Sequence, residues 1–151
     1  NRWSGIAFER MGQYFVAPLG EVAEVIYPPK YTSVPNVQDW VRGVANIRGR
    51  LLSVSDLPCF IAGQRSQFSP TQKVLCISQN DHYVGLIVDQ VLGIQHFNKK
   101  GFFSKNNDLT EKLEPYCQGY FHQHNQAWNI FLFSRLLNDP KYMNASEKFI
   151  N

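Results

Sequence analysis

The chain has 151 residues, of which 44% are hydrophobic, 14% aromatic and 18% charged. This composition excludes a disordered chain and suits one domain or two very small, intimately packed ones. The formal net charge of +3 is too small to indicate nucleic-acid binding by itself, and the longest apolar run, around residues 84–88, is far shorter than the roughly 18 residues of a membrane span.

The hydrophobic pattern predicts short strands along the whole chain, with no regular alternation of strands and helices. The strands have about five residues and recur at intervals of about ten, separated by turn-forming residues. This spacing is typical of small barrels or a sandwich and excludes a doubly wound fold. The predicted strands comprise residues 4–9, 13–17, 22–26, 43–47, 51–54, 73–78, 83–91, 117–124 and 127–133.

Turn-forming residues connect several of these strands. Gly12 lies between the first two strands, as in a hairpin. Asn36 is predicted to cap a short helical turn that carries Trp40. Because the chain stays apolar beyond the strand at residues 83–91, we expect a bend or bulge near Gly93.

Longer polar segments predict the domain organisation. Residues 63–71 are rich in Gln, Ser and Pro and are the predicted internal boundary, while residues 98–108 are predicted to be a loop. Ser134 is predicted to cap a short helix that ends before Pro140. The polar residues 141–151 are predicted to form a C-terminal tail, either mobile or docked as a terminal helix.

The three cysteines do not resemble a disulfide framework. Cys59, Cys76 and Cys117 are separated by 17 and 41 residues, which matches neither a CxxC pair nor a disulfide-rich scaffold. Cys76 lies in an apolar run, where a buried thiol is expected. A reducing, cytoplasmic setting fits this pattern best. The sequence begins at Asn1 without an initiator Met or an apolar leader, which is typical of an internal fragment.

The sequence contains none of the common catalytic signatures. It has no GxxxxGK[ST], HExxH, GxSxG or GxGxxG segment. Asp56 and Asp89 each follow an apolar run, where a carboxylate could act as a general base. Aspartates at strand ends more often accept hydrogen bonds from turn amides, and this structural role is the favoured interpretation.

Two clusters leave alternatives to a purely structural role. His122 and His124 would share one face of a strand and could bind a metal with Cys117, as in a hydrolytic enzyme, although exposed histidines beside a turn are favoured. The basic loop at residues 98–105 combines lysines with Phe102 and could bind single-stranded nucleic acid. A solvated loop with a Phe packed beneath it is favoured, because a nucleic-acid groove must contact several phosphates.

The segment at residues 40–57 carries the strongest signal in the sequence. It predicts a strand, a hairpin turn with Arg48 at its tip, and a second strand. Gly49 permits the positive φ that such a turn requires, and Asn46 can form a hydrogen bond with the local backbone.

This segment and a second one resemble a known family. Residues 43–49, Gly-Val-Ala-Asn-Ile-Arg-Gly, followed by Asp-Leu at 56–57, resemble the signature of the CheW-like chemotaxis adaptor domain. Residues 83–91, Tyr-Val-Gly-Leu-Ile-Val-Asp-Gln-Val, resemble its second signature. The similarity extends over about residues 6–137, nearly the whole chain.

The resemblance implies an all-β fold of two intertwined five-stranded SH3-like barrels with an apolar groove between them. It implies one domain at residues 1–140, formed by two sub-barrels. The sequence departs from the family pattern in two places. Ser53 stands where many members have Pro, and residues 131–133 lack an Asp that is often present.

The resemblance also implies a non-enzymatic adaptor without cofactors. Its expected partners are the cytoplasmic tip of a methyl-accepting chemoreceptor and the regulatory domain of a CheA-type histidine kinase, at membrane-associated receptor arrays in the bacterial cytoplasm. Nucleic acid and direct membrane insertion are not implied. Residues 17–25 and 48–52 resemble most the family members of type IV pilus (twitching) systems.

Site residues follow from the same resemblance. Glu24 and Arg48 match the acidic and basic positions that pair near the receptor-binding groove of the family. Val22 and Gly43 match positions on the same receptor-facing surface, and two further residues shape the hairpin. The predicted partner-binding residues are Val22, Glu24, Gly43, Asn46, Arg48 and Gly49.

Overall fold

The computed structural model describes residues 1–147, which form two β-sheets with short helices. The strands are β1 (Arg2–Arg10), β2 (Gln13–Pro18), β3 (Glu24–Ile26), β4 (Val41–Ile47), β5 (Arg50–Ser55), β6 (Lys73–Gln79), β7 (His82–Val88), β8 (Gln90–Asn98), β9 (Phe102–Phe103), β10 (Cys117–Gln123) and β11 (Gln126–Phe131). The α-helices are α1 (Leu57–Ala62), α2 (Phe133–Leu137) and α3 (Pro140–Glu147). Short 3₁₀ helices lie at Leu19–Glu21, Lys99–Gly101 and Glu111–Tyr116.

The all-β, two-sheet prediction is confirmed. The first sheet has the strand order β8-β1-β2-β11-β10-β9 and the second has the order β3-β6-β7-β5-β4. Neighbouring strands are antiparallel except in the pairs β2–β11 and β5–β7, which are parallel. The first sheet has six strands instead of five because Phe102–Phe103, in the predicted loop, pairs with β10.

The chain passes between the sheets twice. It leaves the first sheet after β2, forms the whole second sheet, and returns to the first sheet at Asp89, between β7 and β8. Residues 63–71, the predicted internal boundary, connect α1 with β6 inside the second-sheet portion. The first sheet therefore combines strands from both ends of the chain around a contiguous second sheet.

Each sheet contributes side chains to a buried core on each of its two faces. Neighbours in one strand point to opposite sides, so Ala7 faces a core inside the first sheet while Phe8 faces a core shared by the two sheets. In the same way, Val74 faces a core inside the second sheet while Leu75 faces the shared one. We call these the first-barrel core, the second-barrel core and the interbarrel core. The interbarrel core includes Phe8, Phe15, Leu75, Ile77, Val84, Leu86, Val88, Phe131, Phe133, Leu136 and Tyr142.

The second sheet closes on itself through the segment that follows β3. Thr32 and Val44 exchange backbone hydrogen bonds of 2.8 and 2.9 Å, which attach this segment to the outer edge of β4. In the first sheet, Gln123 Nε2 donates to the His96 carbonyl oxygen at 3.0 Å and links β10 with β8. Both sheets are therefore barrel-like.

The helix α2 begins differently from the prediction. Leu132 occupies the position before its first residue, and Ser134 makes no side-chain capping bond. Instead, Glu21 accepts hydrogen bonds from the backbone amides of Phe133 at 2.6 Å and Ser134 at 3.4 Å. The predicted Ser134 cap is wrong because a carboxylate from a distant segment satisfies the same orphan amides.

The backbone conformation tests three other local predictions. The bulge near Gly93 is confirmed, because the β1–β8 register shifts there. The helical turn predicted after Asn36 is not a helix, and Asn36 itself has a left-handed φ of 62°. The strand predicted at residues 83–91 divides into β7 and β8 at Asp89.

The described part of the predicted tail is the helix α3. Tyr142 is fully buried in the interbarrel core, and its hydroxyl forms a 2.6 Å hydrogen bond with Ser55 Oγ. Residues 148–151 of this prediction lie outside the described residues. Within residues 1–147, no helix combines the length and the apolar character needed to cross a bilayer.

Candidate partner-binding site

The β4–β5 hairpin fixes the predicted turn. Arg48 and Gly49 occupy its two central positions with φ values of 50° and 85°, which is the positive-φ pattern of a tight hairpin turn. Asn46 Oδ1 accepts a 2.8 Å hydrogen bond from the Gly49 amide. The hairpin prediction is confirmed, and the turn places the Arg48 side chain at its tip.

An ion pair connects this tip to strand β3. Arg48 Nη2 donates to Glu24 Oε1, and the Tyr83 hydroxyl donates to the same oxygen at 3.1 Å. The bond from Arg48 lowers the pKa of the Glu24 carboxyl and raises the pKa of the guanidinium. Because the Arg48 side chain is 70% exposed, the paired cation remains open to a partner.

Strand register places this pair at the open end of the second barrel. Glu24 lies opposite Cys76, a residue of the second-barrel core, so both point to the inner side of the sheet. The Arg50 guanidinium lies 4.2 Å from the centre of the Tyr83 ring beside them. Arg48 therefore lies at the end of the second barrel and not over the interbarrel core.

The buried groups beneath the ion pair resist ionisation. Burial raises the pKa of the Cys76 thiol to about 11, and the neighbouring Glu24 adds to this effect. Burial together with Cys76 and Glu24 raises the pKa of Tyr83 to about 12. At neutral pH the charges of this region are therefore confined to Glu24 and the arginines above it.

Two predicted site residues contribute to packing. A Cβ atom on Gly43 would lie 2.2 Å from the Thr32 carbonyl oxygen, so only glycine permits the close approach of this segment to β4. Val22 is half-buried and packs against the interbarrel core. The structure thus groups Glu24, Asn46, Arg48 and Gly49 at the hairpin tip, whereas Gly43 and Val22 support the strands around them.

Exposed apolar residues continue the interbarrel face of the second sheet to solvent. Val25 is 39% exposed and lies opposite Leu75 of the interbarrel core. Leu51 is 62% exposed and shares its face with Ser53, which pairs with the buried Val84. Neither residue was predicted as part of the site, although the alternation of side chains along β3 and β5 was the available signal.

A separate apolar cavity of about 310 Å³ lies on the first barrel. Its lining residues include Trp3, Phe102, Phe121 and Ile130, and none of the six predicted site residues is among them. Phe102 and Phe103 of the predicted loop are 42% and 50% exposed. They form the short strand β9, so the aromatic side chains of this loop are partly exposed instead of packed beneath it.

A buried ionic cluster at the junction of the barrels was also missed. Asp56 is fully buried and accepts hydrogen bonds from Arg10 Nη2 at 3.3 Å, from Arg42 Nη2, and from Ser66 N and Oγ at 2.9 and 2.6 Å. Arg10 Nη1 also donates to Asp89 at 2.7 Å. The predicted structural role of Asp56 is confirmed by its bond to the Ser66 amide. The two arginines could not be identified from the sequence, because Arg10 and Arg42 lie 46 and 14 residues from Asp56.

The metal-site alternative has no geometric support in the described part of the chain. His124 lies in the β10–β11 turn with a φ of 53°, so it does not share a strand face with His122. Within residues 1–147, no three His, Cys, Asp or Glu side chains are grouped closely enough to hold a metal ion.

Comparisons with known proteins agree with this architecture. The family model of the CheW-like domain matches residues 4–141. The chain is 45% identical to "Protein PilI" of Pseudomonas aeruginosa over 129 residues, which cover 85% of this chain and 72% of that protein. It is 25% identical to "Chemotaxis protein CheW" of Helicobacter pylori over 102 residues, 64% of this chain and 62% of that protein. The fold is similar to the crystal structure of the scaffolding protein TtCheW from Thermoanaerobacter tengcongensis, with a TM-score of 0.75 at 18% identity over 87% of this chain and 89% of that one.

Proposed function

The chain belongs to the CheW-like domain family, and from this premise we propose that it is a non-enzymatic adaptor that couples a methyl-accepting chemoreceptor to a CheA-type histidine kinase. The similarity to PilI supports a role in a chemotaxis-like pathway that controls pilus-driven twitching motility. The proposed setting is the cytoplasmic side of receptor arrays, where the receptor tip and the kinase would be bound together.

The observation that carries this proposal is the exposed cation held at the end of the second barrel. Arg48 is oriented by Glu24, which is in turn bonded to Tyr83. An ion pair at an exposed position adds little to folding stability. Its value lies in orientation, because a cation fixed in one direction favours partners whose carboxylates meet it.

The apolar margins of the interbarrel face provide the second part of the proposed receptor surface. Val25 and Leu51 are exposed on the same sheet as this cation, on the face opposite to Glu24. Typical interfaces combine an apolar centre with a polar rim. An amphipathic receptor tip with carboxylates beside its apolar face would fit this combination.

Binding measurements on Arg48→Ala test the proposal. The purified receptor tip fragment and the kinase regulatory domain serve as probes, and Lys100→Ala, which removes an exposed cation from the first barrel, is the matched control. We expect Arg48→Ala to weaken binding of the receptor tip by about tenfold or more, with an unchanged melting temperature, and Lys100→Ala to bind like the wild type. Unchanged receptor binding by Arg48→Ala would contradict the assigned surface.

The pathway is tested separately in cells. A deletion strain is expected to lose twitching motility and to retain swimming, and complementation with the wild-type gene should restore twitching. Loss of swimming alone would assign the chain to a flagellar pathway instead.

A small nucleic-acid-binding barrel is the second candidate, and the exposed Phe102 and Phe103 beside Lys99 and Lys100 favour it. Salt-dependent binding of a labelled single-stranded oligonucleotide would support it. We expect no binding at micromolar protein, since this loop alone contacts too few phosphates.

A further inference from the structure

The loop between α1 and β6, residues 63–72, is anchored to the buried ionic cluster. Its central residue Ser66 donates two hydrogen bonds to Asp56, from its amide at 2.9 Å and from its hydroxyl at 2.6 Å. Arg10 Nη2 donates to the same hydroxyl oxygen at 2.7 Å. The middle of a surface loop is therefore bound to a fully buried carboxylate.

The second half of the loop is fixed as well. The Gln72 amide donates to the Ser69 carbonyl oxygen at 3.1 Å, and Gln72 Nε2 donates to the Gln67 carbonyl oxygen at 3.1 Å. The Thr71 hydroxyl donates to the Asp89 carbonyl oxygen at 2.7 Å. Bonds on both sides thus hold the backbone that carries Phe68.

Phe68 is the most exposed large apolar residue of the described chain, at 80% exposure. A single exposed apolar side chain is common and needs no explanation by itself. An aromatic ring on an ordered loop is different, because binding then loses little conformational entropy. Such rings are frequent anchors of protein interfaces.

The loop lies at the opposite end of β4 from the proposed receptor surface. Asp56 binds Arg42 near the start of β4, whereas Arg48 follows its last residue. The strand between them spans about 20 Å. A receptor tip bound at Arg48 would therefore leave Phe68 accessible to a second protein, as an adaptor requires.

The charge of the loop indicates the chemistry of its partner. Arg65 is the one charged residue among residues 63–72. A partner whose pocket receives the Phe68 ring would therefore bind more tightly if carboxylates at the rim of the pocket contacted Arg65.

From these observations we propose that residues 63–72 form a pre-ordered docking loop for the kinase regulatory domain, with Phe68 entering an apolar pocket rimmed by carboxylates. The inference rests on the proposed adaptor function and names the surface that the second partner uses. Asp56 and Ser66 are positioning residues in this account, because they hold the loop and do not contact the kinase.

The test compares dissociation constants for the purified kinase regulatory domain. Phe68→Ala is expected to weaken binding by about tenfold or more without lowering the melting temperature. Tyr27→Ala is the matched control, since it removes a ring with a similar exposure of 78% elsewhere on the second barrel; we expect it to change binding by less than twofold. Wild-type affinity in Phe68→Ala, or an effect on receptor binding alone, would overturn the inference.

Further variants separate this inference from the proposed function. If the wild type binds neither partner, the adaptor function itself fails; if Arg48→Ala loses the receptor while Phe68→Ala keeps the kinase, only the docking loop fails. Arg65→Glu is expected to weaken kinase binding. The absence of an effect would contradict the proposal that carboxylates of the kinase domain contact Arg65.

Ser66→Ala tests the pre-ordering. It removes the hydrogen bonds of the Ser66 hydroxyl with Asp56 and Arg10 and retains the Phe68 side chain. We expect faster hydrogen exchange of the loop amides together with weaker kinase binding. Faster exchange with unchanged affinity would overturn the role of loop order.

Discussion

Asp56 shows how one buried charge holds several parts of the molecule. A buried carboxylate is unfavourable unless it is paired and hydrogen-bonded. Here Arg10 comes from β1 of the first sheet and Arg42 from β4 of the second, and both bind the same carboxylate. The cluster therefore fixes the relation between the barrels as well as the docking loop bound through Ser66.

Replacing this carboxylate leaves Arg42 without its counter-ion and Arg10 with Asp89 as its remaining one. We expect Asp56→Asn to lower the free energy of unfolding by about 3–5 kcal/mol, because removing one partner of a buried pair strands the other charge. Urea denaturation measures the change. Asp81→Asn, at an exposed turn position, is the control and should be close to neutral. A loss below about 1 kcal/mol for Asp56→Asn would contradict a structural role for the cluster.

The same carboxyl makes the stability depend on pH. Burial by itself would raise the pKa of Asp56, but hydrogen bonds from Ser66 and Arg42 outweigh it and hold the pKa below its ordinary value. A depressed pKa in the folded state stabilises the protein above the unfolded pKa of about 3.9 and loses that contribution as the pH falls further. We expect the stability difference between wild type and Asp56→Asn to be constant from pH 7 to pH 5 and to narrow below pH 4. A difference that widens with acidification would contradict this.

Cys117 lines a cavity, but its thiol is expected to react slowly. It lines a cavity of about 270 Å³ on the first barrel, yet burial raises the pKa of its thiol to about 12. Because the thiolate is the reactive form, we expect iodoacetamide at pH 8 to alkylate it at least about a hundredfold more slowly than a free cysteine. Mass spectrometry of the folded protein measures the rate, with the urea-unfolded chain as reference. Equal rates in both states would contradict the shift.

Among the elements, β7 packs closely against the second-barrel core. A Cβ atom at Gly85 would lie 2.7 Å from Val74 Cγ1 and 2.9 Å from Leu52 Cδ2, both in the second-barrel core. We expect Gly85→Ala to lower the free energy of unfolding by about 1–3 kcal/mol through overpacking. Gly20→Ala is the matched control, because nothing lies within 4 Å of its Cβ position. Equal stability of the two variants in urea would contradict close packing at β7.

The strands could be predicted from sequence because alternation is a local property. The Arg48–Gly49 turn was equally accessible, since Asn46 and Gly49 define it within four residues. Elements that depend on distant partners were not predicted. The cap of α2 comes from Glu21, 112 residues before Phe133. The ionic cluster joins residues 46 and 79 positions apart.

The same distinction applies to the candidate site. The resemblance predicted that Glu24 and Arg48 pair, and the structure contains this pair. The side of the sheet on which this pair lies could not be predicted, because it depends on the register of β3 against β6. A shift of one residue would turn Glu24 to the other side of the sheet.

For the whole molecule, the arrangement of strands makes the two barrels mutually dependent. The parallel pair β2–β11 joins an early strand to the last one, and β5–β7 joins strands across the docking loop. The interbarrel core takes residues from both sheets, so neither sheet buries its second face without the other. A break in the docking loop separates partners in both sheets, although it falls between elements of one barrel.

Fragment complementation tests this dependence. A fragment of residues 1–64 contains β1–β5 and a fragment of residues 65–151 contains β6–β11, so each holds strands of both sheets and completes neither. We expect each fragment alone to lack a cooperative thermal transition, and an equimolar mixture to recover the native circular dichroism spectrum. A fragment of residues 22–89 is the comparison, because it retains all strands of the second sheet. It should form β structure yet self-associate, since the interbarrel faces of Leu75 and Leu86 lose their cover. Cooperative unfolding of either half alone, or of a monomeric 22–89 fragment, would contradict the mutual dependence of the two barrels.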